Sequence, residues 1–493
     1  MSVISAGSYL EHLPAVALAR AVRGGFVQST QLVEKSLSQL NGLGRRLGAV
    51  AAIRWSAREE AAAVDRLVAD GRAAAESATP FLGVPCSVKE GLKVAGAPWR
   101  MGSRLNLDRV AEEDGSVVAR LRRAGAIITG LGSMAEMALW PETVNRIEGV
   151  ARHPHDLRRT PGGSSGGDAA LTAARCVPFA IGADGGGSVR IPAAYCGLFG
   201  HKPSAGLVPL TGHVPLDGVA SDTDAAQSLA WFFAPGPICR HANDLWPLLK
   251  VMAGPDGCQR GIGVRTLTET ADFDPAGRTI LMLARPKVAL AEAVSAEQSE
   301  VVEAAAMSLA KRGGLIRQLP DTFLTHAFCI WSGTLRASSD LRLGEMLGGG
   351  SSLQLGWEVL RRIGGAPMHT LPSLMLATLD RVAPMRRRTA ERYFRLGAEL
   401  AAELSAMLGD GGVLLLPPVP GVAPRHGHAL LRPFNIAYTA LFNALGLPAT
   451  VAPVSVSRCG LPLGVQIVSS IGNDSLTIGA AVAIADSHSV HIS

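Results

Sequence analysis

The chain reads as an α/β protein built as one main globular unit. Segments of strand character alternate with segments of helix character, which argues for a sheet with helices on both faces. Of 493 residues, 47% are hydrophobic and 18% charged, enough to bury a large core. The 56 glycines and 30 prolines follow no period, which suits a turn-rich compact fold rather than disorder or a collagen-like repeat. Length alone, at ~100–200 residues per domain, would suggest three domains, but large α/β enzymes often exceed that range as one. The chain has no internal repeats, and 1–493 is taken as one unit.

Each element has its own signal. Residues 13–75 carry apolar positions at helical spacing, as in Leu32, Leu37 and Leu40 after the candidate caps Ser29 and Thr30, and Glu59–Ala75 is rich in alanine and charge. This predicts a helical N-terminal layer over 1–80. A core over 81–215 follows, with a strand at Pro85–Lys89, a helix at Val117–Arg123 and a short β-like run at Ala126–Leu131. A helix is expected in HANDLWPLLKVMAG ending at Gly254, and a strand at Thr279–Ala284. The 320–380 region, with Trp331, Trp357 and the glycine-broken Leu347–Ser352, suits a substrate wall or lid as well as a plain surface insertion. From Pro433 to Ser457 no residue is charged, long enough for a membrane span, but Asn435, Asn443, Gly446, Pro448 and Pro453 interrupt it. The expectation is a buried helix, a turn at Leu445–Pro448 and a strand at Ala449–Val456, with no membrane span.

Net charge is +6, and the basic residues are dispersed except around Arg386, Arg387, Arg388, Arg392 and Arg395. No aromatic stacking pattern or reading motif accompanies that run, so it reads as a solvated helix face and no nucleic-acid partner is expected. The seven cysteines, Cys86, Cys176, Cys196, Cys239, Cys258, Cys329 and Cys459, are odd in number and far apart. That pattern fits reduced, mostly packed thiols. The first residues lack a basic stretch followed by an apolar one and already carry Glu11, unlike a secretory leader. A cytoplasmic location is expected.

The chemistry concentrates between Gly162 and Ala193. Two serines, Ser164 and Ser188, stand 24 residues apart in glycine-rich turns, and Lys89 lies 75 residues before the first. Serine is a weak nucleophile until a base takes its proton, and a glycine-rich turn exposes N–H groups that can hold the oxyanion formed on attack at a carbonyl. These residues together suit a serine hydrolase with a lysine base. Gly162–Gly166 is also formally GxSxG, which would make Ser164 the nucleophile of an esterase-type elbow with His426, His428 or His488; the preceding HPHDLRRTP is not strand-like, as an elbow requires. No GK[ST] follows the glycines, so a nucleotide-phosphate loop is not indicated. The pairs His153/His155 and His426/His428 lack a third-ligand pattern and are expected to be solvated, so neither metal nor cofactor is expected.

The run from Gly162 through Ser164, Gly167, Asp184 and Ser188 to Arg190, Pro192 and Ala193 resembles the amidase signature family, enzymes that hydrolyse carboxylic amides. FLGVPCSVKE resembles the family's lysine strand, CGLFGHKPSAG its continuation after the nucleophile, Ala220–Pro237 a variable family loop, and GLPLGVQIV a closing strand, so the likeness covers roughly 10–250 and 410–480. It implies a single α/β/α domain with a central mixed sheet covered by helices on both faces. It also implies Ser188 as nucleophile, Ser164 as proton shuttle and Lys89 as base, with the backbone N–H groups of Gly185, Gly186, Gly187 and Ser188 as the oxyanion hole and a cis peptide between Gly163 and Ser164. Asp184 and Arg190 are expected to brace the loop, Ser165 to support it, and Asp168, where many relatives have serine, to cap the helix that begins there. A base working near neutral pH needs its pKa lowered from ~10.4 by burial, and Val84, Pro85, Cys86 and Val88 offer an apolar setting. Glu90, where the family often has aspartate, points away from Lys89 if the segment is extended. The implied substrate is a small-molecule amide. The stretch from Phe434 resembles fatty-acid-amide-type members, which favours an apolar acyl group; the A subunit of a tRNA-dependent amidotransferase is the alternative. A homodimer is compatible with the sequence.

Overall fold

The computed structural model of the chain describes residues 12–213, 231–263, 267, 273–338, 343–349, 353–382 and 385–488. Eleven strands form one sheet: β1 Val50–Ile53, β2 Pro85–Lys89, β3 Ile127–Gly132, β4 Phe179–Asp184, β5 Phe199–Lys202, β6 Ala234–Cys239, β7 Thr279–Met282, β8 Leu315–Gln318, β9 Val413–Leu416, β10 Ala449–Val456 and β11 Pro462–Val468. Their spatial order is β1-β3-β2-β4-β6-β5-β10-β11-β9-β7-β8. The sheet is mixed, with parallel groups β3-β2-β4 and β9-β7-β8 joined by antiparallel strands. This is a single α/β/α domain.

Alternation along the central strands feeds both faces, since successive side chains leave a strand on opposite sides. Val413 and Leu415 of β9 join one apolar core with helices Ser116–Arg123, Leu245–Met252, Ala296–Ala310 and Asp474–Ser487. Leu414 and Leu416 join another with helices Ala327–Ser338, Arg387–Leu408 and Ala437–Ala444. On β2, Cys86 and Val88 belong to the first core. Ser87 and Lys89 therefore emerge on the opposite face, under helix Gly166–Ala173.

Several boundaries differ from the sequence reading. The N-terminal layer is not wholly helical: besides Ala15–Arg23, Ser29–Gln39 and Ala57–Ala69 it holds β1, which pairs antiparallel with β3. Ser29 and Thr30 do not cap by their side chains. Asp65 does so from the neighbouring helix, accepting from the N–H groups of Ser29 and Thr30 at 2.6 and 3.1 Å. Residues 220–230 lie outside the described residues, but the rest of the expected loop contains β6, between β4 and β5. Pro235 and Pro237 masked this strand. They sit at alternate positions, so Gly236 and Ile238 can still donate toward β4, and β5 reaches β6 only at Ile238 and Cys239. The GLPLGVQIV segment is interior strand β11, between β10 and β9.

The uncharged stretch folds as its interruptions suggest: a buried helix Ala437–Ala444 and strand Ala449–Val456 flank the turn. Among the described residues no helix is long and apolar enough to cross a membrane. Among its described residues the 320–380 region is mostly helical, with Leu343–Leu347, Leu355–Ile363 and Leu371–Val382 following Ala327–Ser338; residues 339–342 and 350–352 lie outside the described residues.

Candidate active site

Parallel strands β3, β2 and β4 end along one edge of the sheet, where loops in α/β proteins commonly assemble binding sites. Lys89 is the last residue of β2 and Asp184 the last of β4. Ser164 and Ser165 lead directly into helix Gly166–Ala173, and Ser188 precedes helix Arg190–Cys196.

The first glycine turn is held from within. Thr143 Oγ1 donates to the Gly162 carbonyl and accepts from the Gly166 N–H, both at 2.9 Å. Gly162 has φ +88°, open to glycine without penalty, and the Gly163–Ser164 peptide is cis. Ser165 N–H donates to the Ser188 carbonyl at 3.3 Å, drawing the two serine turns together.

Lys89 is fully buried, with Val84, Cys86 and Val88 also at 0% exposure. Its Nζ donates to Ser164 Oγ at 2.6 Å and to the Ala183 carbonyl at 3.4 Å. Burial lowers the lysine pKa to about 8, against the opposing pull of Asp168 and Asp184. Glu90 is on the far side of the strand, accepting from Arg100 Nε at 2.6 Å and the Gly102 N–H at 3.1 Å. Ser188 is half-buried, and its hydroxyl is not hydrogen-bonded to Ser164.

Asp184 organises the second turn. Its carboxylate accepts from the N–H groups of Gly187 (2.7 Å), Val189 (3.1 Å) and Arg190 (3.3 Å), and from Nε and NH2 of Arg190 at 3.0 and 2.9 Å. Both side chains are fully buried. Although burial opposes ionisation, the Arg190 guanidinium holds the Asp184 carboxyl well below the usual range. Arg190 NH1 is spent on the Thr439 carbonyl and Gln466 Oε1, at 2.8 and 2.7 Å. The pair thus ties the turn to the start of its helix, to helix Ala437–Ala444 and to β11. The Gly187 N–H, engaged by Asp184, is thereby withdrawn from the expected oxyanion donors. Those of Gly185, Gly186 and Ser188 have no backbone acceptor outside the helices and strands.

Asp168 differs from its expected role. It lies inside helix Gly166–Ala173 and makes no cap; Oδ1 accepts from Ser87 Oγ at 2.8 Å, beside Lys89. His153, expected in solvent, is buried, with Nε2 2.9 Å from the Tyr195 carbonyl, and burial lowers its pKa to about 4. His426, His428 and His488 engage the Leu157 carbonyl, Glu292 and the Ile484 carbonyl. No strand lies between β3 and Ser164 to lead into it, and its hydroxyl meets a lysine, so the GxSxG reading has neither its elbow nor its histidine. Among the described residues no cluster of three or more His, Cys, Asp or Glu could hold a metal ion. All seven cysteines are free; Cys86, Cys176, Cys196 and Cys239 are buried.

Sequence reasoning missed the residues that fix the turn from a distance. Thr439 Oγ1 donates to the Gly186 carbonyl at 2.8 Å, and Asn443 Nδ2 to the Asp184 carbonyl at 3.1 Å. Trp331 Nε1 donates to the Gly185 carbonyl at 3.0 Å. Asn443 carried a signal, being a polar residue in an uncharged helix. The 320–380 region is also tied to the loop after β3. Glu136 is buried, with Oε1 2.8 Å from His369 Nδ1 and Oε2 accepting from Thr370 N and Oγ1 at 2.8 and 2.9 Å. That loop touches the first serine turn, since the Ala135 N–H donates to the Ser164 carbonyl at 3.2 Å.

A family model described as Amidase matches residues 31–478. Human fatty-acid amide hydrolase 2 is 34% identical over 482 residues, 95% of this chain and 88% of that protein. The A subunit of glutamyl-tRNA(Gln) amidotransferase from Deinococcus radiodurans is 30% identical over 488 residues, covering 95% and 96%. A solved chain from a vestigial protein complex tied to the evolutionary origins of an s-triazine catabolic enzyme superposes with a TM-score of 0.79 at 25% identity, over 96% and 98% of the two chains. With the signature serines, the buried lysine and the mixed sheet in place, the chain belongs to the amidase family, the amidase signature enzymes, and is a hydrolase acting on C–N bonds.

Proposed function

We propose that the protein hydrolyses a carboxylic amide with an apolar acyl group, through an acyl-enzyme on Ser188. The observation that carries this reading is the 2.6 Å contact between Ser164 Oγ and the buried Lys89 Nζ. When Lys89 is neutral, its lone pair accepts the Ser164 proton while Ser164 accepts that of Ser188, whose oxygen attacks the substrate carbonyl carbon. The Ser164–Ser188 hydrogen bond forms as substrate seats. The oxyanion is held by the N–H groups of Gly185, Gly186 and Ser188. The proton then returns along the same path to the leaving nitrogen, and water, deprotonated through the same groups, releases the acid.

The apolar acyl group is supported by the walls. Trp331 leans on Gly185 and packs with Phe328, their rings 5.8 Å apart, while Phe328 meets Phe434 edge-on at 4.8 Å. Trp99, Met101, Met134, Met137, Leu347 and Ala377 form an apolar cluster joining the 320–380 region to the loop after β3, and this region serves as the substrate wall. A relative named for fatty-acid amides points the same way.

A glutaminase-type A subunit is the second reading, favoured by the likeness to the amidotransferase A subunit along 95% of the chain. A hydrolysis panel of aliphatic, aryl and long-chain amides plus glutamine separates the two by ammonia or amine release. Long-chain amides are expected to react fastest; preference for glutamine overturns the acyl assignment. Failure of a serine-directed fluorophosphonate to label Ser188 overturns the mechanism.

A further inference from the structure

We propose that Asp168 is a positioning and charge-setting residue for Lys89, a role that rests on the reading of Lys89 as the base. Ser87 and Lys89, two apart on β2, leave the sheet on one face. In the parallel pairing of β2 with β3, Lys89 lies beside Gly132. The space a Gly132 side chain would fill is therefore next to the lysine stem. The Asp168 carboxyl fills it: a Cβ on Gly132 would overlap the carboxyl carbon and crowd both oxygens. One oxygen is tied to Ser87 Oγ at 2.8 Å, and the other, Oδ2, is buried without a hydrogen-bond partner. Glycine at 132 thus makes room for an acid beside the lysine, across one strand spacing of about 4.8 Å.

The surroundings leave Lys89 as the natural counter-charge. Asp168 is fully buried, which raises its pKa to about 7 against the Ser87 hydrogen bond and the Lys89 charge. Asp184, the other acid acting on Lys89, is already held by Arg190. Glu90, Arg100 and Glu148 pair with one another beyond the opposite side of β2. Arg54 and Arg122 are both paired with Glu60. An ionised Asp168 stabilises the Lys89 ammonium and draws it toward the sheet; when Asp168 takes a proton, the lysine gives up its own more readily. Asp168 therefore governs how much of the base is neutral at a given pH.

The test is the pH profile of kcat/KM for the hydrolysed amide in Asp168→Asn, which keeps an acceptor for Ser87 and removes the charge. The acidic limb is expected to move to lower pH by roughly one unit or more, the range for losing an opposite charge at ~4–6 Å. A limb at the wild-type midpoint overturns the proposal, because a purely packing role is preserved by asparagine. If Asp168→Asn does not fold, Ser87→Ala carries the test: it leaves the carboxyl without its hydrogen-bond donor, favours its neutral form and shifts the limb the same way, and an unmoved limb again overturns the proposal. Lys89→Met is run in parallel. Turnover retained there defeats the base assignment itself, whereas lost turnover with an unmoved limb in the Asp168 or Ser87 variant defeats only the role of Asp168.

Discussion

Replacing Lys89 with methionine separates two consequences of burying an amine. Methionine fills similar volume but can neither accept a proton nor carry charge. A positioned general base is worth ~10²–10⁴ in rate, so kcat should fall at least a hundredfold. Stability moves the other way. The drop from 10.5 to about 8 at a fully buried site corresponds to roughly 3 kcal/mol at ~1.4 kcal/mol per unit, as a ceiling on what the charged lysine costs the fold. Against it stand the contacts to Ser164 Oγ and the Ala183 carbonyl, worth roughly 1.5–3 kcal/mol for a charged donor. At pH 7 the methionine variant should therefore match wild type or exceed it by up to ~1.5 kcal/mol. The pH dependence fixes the sign. The folded pKa lies below the unfolded one, so between about 8 and 10.5 the unfolded chain binds more protons and wild type gains stability as pH rises. Methionine has no such gain. Thermal denaturation across that window should show the Tm of the variant falling relative to wild type by about 3 °C, at roughly 1 °C per kcal/mol for a chain of this length. Unchanged turnover, or a variant that gains on wild type with rising pH, would refute the reasoning.

Other outcomes follow from the same geometry. The kcat/KM of wild type should rise about tenfold per pH unit up to a plateau above pH 8, because the neutral form of Lys89 is the active one; a profile flat from pH 5 to 9 contradicts this. Arg190→Met leaves the Asp184 carboxylate buried and unpaired, which should destabilise by roughly 3–5 kcal/mol in denaturant titration. Gly187→Ala places a Cβ onto Thr439 Oγ1 at a φ of +124° and should lower kcat a hundredfold or more by displacing the oxyanion loop, while far-UV circular dichroism stays native. His369→Ala removes a partner of buried Glu136 and should speed proteolytic nicking between 343 and 382 and raise KM more than it lowers kcat; unchanged protease sensitivity argues against the tie.

The sequence by itself determined the fold class, two of the three parallel strands carrying the site and the chemistry's raw materials, while the third, Phe179–Asp184, went unread. Pro85–Lys89 and Ala449–Val456 were legible because a short apolar run bounded by turn residues has few other ways to be satisfied. Gly162–Ala193 was legible because glycine-rich turns around serine serve exposed backbone donors. Local signals failed where a partner remote in sequence decides. Ala234–Cys239 became a strand despite two prolines because β4 offers acceptors along its whole length. Asp168 left the role of cap because Gly132, 36 residues earlier, vacates the space beside Lys89 that its carboxyl fills. Asp184 took the Gly187 N–H, and Asn443, Thr439 and Trp331 closed the turn from segments more than 140 residues away. Burial decides the protonation of an amine or a carboxyl, and burial is a property of the assembled core. That is why the residues were readable in the chain, whereas their charge states and partners belong to the folded molecule.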